Sequence, residues 1–150
     1  MRRPDPYDAR MTAELRVPRY LQSTIDAGGE ELAAWLAALP DRVDQLAARW
    51  GLEIGEPFEP GGNCSWVAPA TDTAGRDVVL KVAWQHAESM HEAEGLSVLR
   101  GQGAVEVHAF EHLAPMSPDD RVDGPIGATT AMLLERCRPG TELRLSLIHI

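Results

Sequence analysis

The sequence predicts an α+β protein in which a helical stretch precedes a set of short strands interrupted by one further helix. Three observations carry that prediction. Apolar residues recur at helical spacing between Leu32 and Trp50, and strand-type runs take over from Leu52. The chain's one lysine, Lys81, sits inside the apolar run Val78-Val79-Leu80-Lys81-Val82-Ala83-Trp84. The length of 150 residues allows one buried core, and 44% apolar with 25% charged residues is ordinary for a soluble globular chain.

Residues 1–17 are polar and contain prolines, so they read as a flexible N-terminus, with Met11 as an alternative start. Residues 18–51 read as a helical extension. Glu30-Glu31 put acidic charge on a helix N-terminus, and Leu32, Trp35, Leu36 and Leu39 follow on one stripe. Pro40 is expected to end that helix and open another, with Val43, Leu46, Ala47 and Trp50 as its stripe and Gly51 as its cap. The expectation is a helical hairpin packed on the sheet.

A strand near Leu52–Phe58 should lead into the turn Pro60-Gly61-Gly62-Asn63. A second strand, Cys64–Pro69, and the Lys81 strand flank the turn-rich segment Thr71–Asp77, which makes them a hairpin. A helix is expected from about Ala87 to Arg100, closed by Gly101-Gln102-Gly103. Ala104–Phe110 alternates as a strand, Leu113–Gly127 is a loop with Pro115, Pro118 and Pro125, and Thr129–Glu135 is the last strand before Arg138-Pro139-Gly140.

A net charge of −9 argues against a nucleic-acid partner. No window reaches the length of a membrane span, and the first residues lack the apolar core of a signal peptide. Cys64 and Cys137 form no disulfide framework, so reduced thiols in a cytoplasmic protein are expected.

A lysine in a buried strand is costly unless its ammonium meets a fixed anion. Glu92, eleven positions on, supplies a candidate. At about 100° per residue, Leu96 and Leu99 fall within about 40° of Glu92, which puts this carboxylate on the apolar stripe; Glu94 falls on the other side. The two residues are either a pair or unrelated, with Glu92 edging toward solvent. Gly61-Gly62-Asn63 sits where glycines let backbone N–H groups approach phosphates, although a strand turn alone also accounts for it. His108-Ala109-Phe110-Glu111-His112 matches the H-x-x-E-H zinc pattern. That chemistry needs a helix, whereas Val105–Ala109 alternates like a strand and would hold the histidines roughly 13 Å apart. Leu133–Gly140 reads as a buried strand running into a charged connector.

Taken with their order and spacing, Val79-Leu80-Lys81-Val82-Ala83-Trp84, His91-Glu92-Ala93-Glu94-Gly95-Leu96 and Leu133-Leu134-Glu135-Arg136-Cys137 with Pro139-Gly140 resemble the bacterial aminoglycoside phosphotransferases. The likeness is strongest to their streptomycin and hydroxyurea branch, and covers roughly Val17 to Leu143. It implies a protein-kinase-like N-terminal lobe over residues 52–144: a five-stranded, mainly antiparallel sheet with one crossing helix. It implies that Lys81 holds the α- and β-phosphates of ATP, that Glu92 orients Lys81, and that Gly61, Gly62, Asn63, Cys64 and Ser65 cover the phosphates. Glu135 to Cys137 would offer backbone groups to adenine. The reaction implied is γ-phosphoryl transfer from ATP, with Mg2+, to a hydroxyl of an aminoglycoside-like small molecule.

The departure from that family lies downstream. Its catalytic Asp, the following Asn and its metal-binding Asp belong to a C-terminal lobe, and no H-x-D or D-F-G-like segment occurs here. Residues 145–150, Leu-Ser-Leu-Ile-His-Ile, break with the Ala/Arg/Gly-rich body and resemble a translated sequencing-adapter tail. The expectation is therefore a truncated frame with a non-native tail and no turnover of its own. The alternatives are a stand-alone nucleotide-binding or regulatory lobe without catalysis, and a zinc hydrolase.

Overall fold

The computed structural model describes residues 15–87, 89–114 and 128–138. Helices α1 (Arg19–Gly28) and α2 (Glu30–Trp50) come first, followed by strands β1 (Glu53–Ile54), β2 (Ser65–Thr71) and β3 (Asp77–Trp84). A 3₁₀ turn (Ser89–His91) and helix α3 (Glu92–Leu99) lead to β4 (Val107–Leu113) and β5 (Thr129–Glu135). The five strands form one sheet in the order β1-β2-β3-β5-β4, and every neighbouring pair is antiparallel. The α+β class and the five-stranded antiparallel sheet agree with the sequence expectation. The expected segments around Pro115, Pro118, Pro125, Pro139-Gly140 and 145–150 lie outside the described residues.

The helix break is not where proline suggested. Pro40 lies inside the 21-residue α2, and the hairpin turns at Gly29, whose φ of +80° a helix cannot continue. The physical reason is visible in the burial: Leu32, Trp35, Leu39, Val43 and Leu46 form one buried stripe straight through Pro40, which is itself exposed. Burial along that stripe outweighs the one hydrogen bond that proline removes.

β1 also falls short of the expected Leu52–Phe58. Pairing survives as isolated bonds, Gly55 N–H to Pro69 O at 2.8 Å and Phe58 N–H to Val67 O at 2.9 Å, because Pro57 between them has no N–H to give a ladder. β4 lies three residues later than expected, since Gly101 and Gly103, both at positive φ, extend the turn after α3. The hairpin turn, residues 72–76, falls inside the expected Thr71–Asp77, whose first and last residues extend β2 and β3. Asp72 Oδ1 accepts from the N–H groups of Ala74 and Arg76, each at 2.9 Å, and its Oδ2 accepts from Arg76 Nε at 2.7 Å.

The sheet has two differently covered faces. On one, Trp66, Ala68, Val78, Leu80, Val82, Ala131 and Leu133 pack against the α1 and α2 stripes as the main core. Buried Arg42 of α2 reaches this face, where it donates to Thr129 Oγ1 and, at 3.4 Å, to Ala114 O, while Trp35 Nε1 donates to Thr129 Oγ1 at 3.0 Å. Burial pushes the Arg42 guanidinium below its ordinary pKa. The other face carries Val67, Val79, Lys81, Met132 and Leu134, and α3 covers part of it through Ala93 and Leu96. No helix among the described residues is long and apolar enough to cross a membrane.

Candidate functional site

β3 delivers the central side chain. Its period-2 alternation sends Val78, Leu80 and Val82 into the main core and Val79, Lys81 and Ala83 to the opposite face. Lys81 faces Val67 of β2 on one side and Met132 of β5 on the other. From there its Nζ donates to both carboxylate oxygens of Glu92, at 2.6 and 2.8 Å. Glu92 is the first residue of α3, so the open N–H groups of the first helical turn also favour its negative charge. The two side chains keep 22% and 33% exposure, which makes the pair a covered but solvent-reachable charge. Of the two sequence readings, paired and unrelated, the geometry gives the paired one.

α3 departs from expectation in length. Its first turn is replaced by the 3₁₀ segment, where Ser89 Oγ accepts the His86 N–H at 2.9 Å and bonds the Trp84 and His86 carbonyls at 3.3 and 3.1 Å. Of the expected stripe, Glu92 and Leu96 face the sheet, but Leu99 is exposed, because the chain enters the left-handed region at Arg100 and leaves the helix. Glu94 points away, with one oxygen 2.8 Å from His91 Nδ1.

Two cavities open on this face, lined by successive stretches of one turn. A cleft of about 510 Å3 is lined by Asn63, Cys64, Ser65, Lys81, Ala83, His86, Ser89, His91 and Glu92. A slot of about 390 Å3 is lined by Gly61, Gly62 and the segment Glu135–Cys137, with Val67, Val79, Val105 and Leu134 as apolar walls and Phe58 and Glu59 at its rim. All nine candidate residues from the sequence thus line one cavity or the other. Sequence reasoning missed the slot walls and the Ser89 and His86 contribution. Val79 was recoverable as the residue two before Lys81 on the same strand face; Val105 falls in the stretch read as a strand but lies ahead of β4, and His86 belongs to a loop with no periodicity to read.

The glycine turn has the backbone that its residues suggest. Gly61 has φ of +78°, a region other residues rarely adopt, and a Cβ on Gly62 would stand 3.1 Å from Ser65 Oγ. Cys64 and Cys137 are free thiols, one at each cavity. His108 and His112 leave the exposed face of extended β4, with Phe110 between them, so the helical spacing of an H-x-x-E-H site is absent.

No family model matches the chain. Two curated proteins do, and both are named for phosphate transfer. The chain is similar to two phosphotransferases. It is 37% identical to streptomycin 6-kinase of Streptomyces glaucescens over 72% of its own length and 40% of that protein. It is 28% identical to hydroxyurea phosphotransferase of Kitasatospora aureofaciens over 89% of its own length and 35% of that protein. The chain therefore spans well under half the length of these relatives.

Proposed function

We propose that these residues are the nucleotide-binding lobe, of protein-kinase-like build, of a phosphotransferase that moves the γ-phosphoryl group of ATP to a hydroxyl of an aminoglycoside-type small molecule. The observation that carries the reading is the bidentate Lys81–Glu92 pair at a cleft that meets an apolar slot along a single glycine turn. A nucleotide has the same two-part chemistry: a flat apolar base and a string of anionic phosphates. The slot walls Val67, Val79, Val105 and Leu134 suit the base, and Glu135 to Cys137 line the slot, where backbone groups other than the Glu135 N–H, which Glu106 O takes at 2.9 Å, would meet the adenine edge. Lys81, held in place by Glu92, supplies a fixed cation to the phosphates, while Asn63 to Ser65 line the cleft and Gly61 and Gly62, at the slot, let the turn's backbone come close to the nucleotide. The names of the two relatives support the reaction class, and that of streptomycin 6-kinase favours an aminoglycoside-type acceptor.

These groups bind and orient the donor; they hold no proton for transfer and no acceptor. A magnesium ion, implied with ATP by the likeness, finds no group of three His, Cys, Asp or Glu among the described residues. Its ligands, and a base for the acceptor hydroxyl, would have to come from elsewhere. Since no H-x-D or D-F-G-like segment occurs in the sequence, we expect no phosphate transfer to streptomycin by this chain alone. Cytoplasmic placement with reduced thiols is part of the same proposal.

The test is ATP binding by titration calorimetry and thermal shift, with Lys81→Ala as the comparison. ATP should bind and raise Tm in the wild-type chain, and Lys81→Ala should weaken binding by at least about tenfold while keeping the fold. Equal binding by both proteins, or none by the wild type, overturns the nucleotide reading.

A further inference from the structure

We infer that the segment Arg16–Tyr20, ahead of and entering α1, is a positioning strap for the glycine turn, and so belongs functionally to the nucleotide site although it lines neither phosphate cleft nor base slot. This rests on the nucleotide reading above and extends it. Gly61 is a residue with wide conformational freedom, and a free-standing turn would have to be ordered each time phosphates bind. In this protein the turn is already held. The ring of Pro18, itself fully buried, fills the space beside Gly61 so closely that a Cβ there would stand 2.4 Å from Pro18 Cβ. Tyr20 N–H donates to Pro60 O at 3.0 Å, and Arg19 N–H donates to Glu59 Oε2 at 3.3 Å. Arg16 approaches the other oxygen of Glu59 at 3.3 Å, and its carbonyl accepts from the buried Trp66 Nε1 at 2.9 Å.

The contacts run in one direction. Trp66, on β2, anchors the strap to the sheet; the strap then grips three consecutive turn residues, Glu59, Pro60 and Gly61. A tether at both ends of the 59–65 segment removes the freedom that glycine would otherwise keep, so the ordering cost of phosphate binding is met during folding. The consequence is specific. Glu59 and Gly61 line the base slot, and the same turn runs on through Asn63 to Ser65 into the cleft, so loosening the strap should weaken adenosine and ATP binding together.

The experiment compares ATP and adenosine affinity in Pro18→Gly and Arg16→Gln, with Ile25→Ala as a control that thins the α1 core away from the turn. Pro18→Gly should lose roughly five- to tenfold in affinity for both ATP and adenosine. Arg16→Gln should lose less, with Arg16→Lys restoring part of it, because its ion pair is exposed. Ile25→Ala should lower Tm with both affinities kept. Amide hydrogen exchange over residues 58–65 should quicken in Pro18→Gly without nucleotide present. Unchanged ATP and adenosine affinity in Pro18→Gly, an equal loss of both in Ile25→Ala, or unchanged exchange overturns the strap. If the wild type binds no ATP the positioning role falls with the nucleotide reading, and the exchange result then reports packing alone.

Discussion

The Lys81–Glu92 pair is the contact on which the functional reading turns, and a double-mutant cycle measures it without any ligand. Lys81→Met keeps most of the aliphatic bulk and removes the charge; Glu92→Gln keeps the shape and removes the anion. Two charge-assisted bonds of 2.6 and 2.8 Å would be worth more than a surface pair, whose coupling is about 0.2–1 kcal/mol. Exposures of 22% and 33% keep solvent screening in play, which brings the expected coupling to about 1–1.5 kcal/mol. Either single change leaves a half-covered charge facing nothing, so each should destabilise by about 1 kcal/mol or more. The double mutant should be no less stable than Glu92→Gln alone, since it removes the stranded ammonium together with its partner. Urea unfolding of the four proteins, followed by fluorescence of the four tryptophans, gives the cycle directly. Additive single effects, with coupling under about 0.3 kcal/mol, would refute the argument that this lysine is held by this glutamate.

Two further outcomes follow from the fold. The Arg76 backbone N–H, helped by the Arg76 guanidinium and the Ala74 N–H and opposed by burial, holds the Asp72 carboxyl below the usual carboxylate pKa. The folded value is lower than the unfolded one, so the stabilisation is present above the ordinary pKa and lost as pH falls through the folded one. The Tm gap between wild type and Asp72→Asn should therefore shrink as pH is taken below the ordinary carboxylate range in thermal scans, and a constant gap would contradict it. Trp35→Phe removes a buried indole N–H that serves Thr129 Oγ1 and leaves a small void, which should cost about 1–3 kcal/mol in urea unfolding; a cost under about 0.5 kcal/mol would show that α2 does not hold β5 in this way.

Local chemistry made much of the molecule readable in advance. The β2–β3 hairpin, β5, the Gly51 cap and the strand placement of Lys81 all rest on residues whose preferences act within a few positions of themselves. The mismatches have different causes: at Pro40 burial across an interface overrides a local preference, whereas β1 and α3 are cut short by the local backbone itself. The buried stripe of α2 carries the helix through Pro40, the missing N–H of Pro57 breaks a ladder whose partner strand is elsewhere, and the left-handed exit at Arg100 leaves Leu99 outside the packed face.

The site divides along the same line. That Lys81 sits on a strand, that Glu92 lies on a helix, and that glycines stand at residues 61 and 62 follow from the chain itself, because periodicity and turn chemistry are properties of neighbouring residues. Whether Lys81 meets Glu92, which side chains wall the base slot, and that Pro18 closes on Gly61 depend on the order β1-β2-β3-β5-β4 and on where α1 and α3 dock. Those distances are set by burial of apolar area across the whole sheet, which has no direction along the sequence and so leaves no local mark in it.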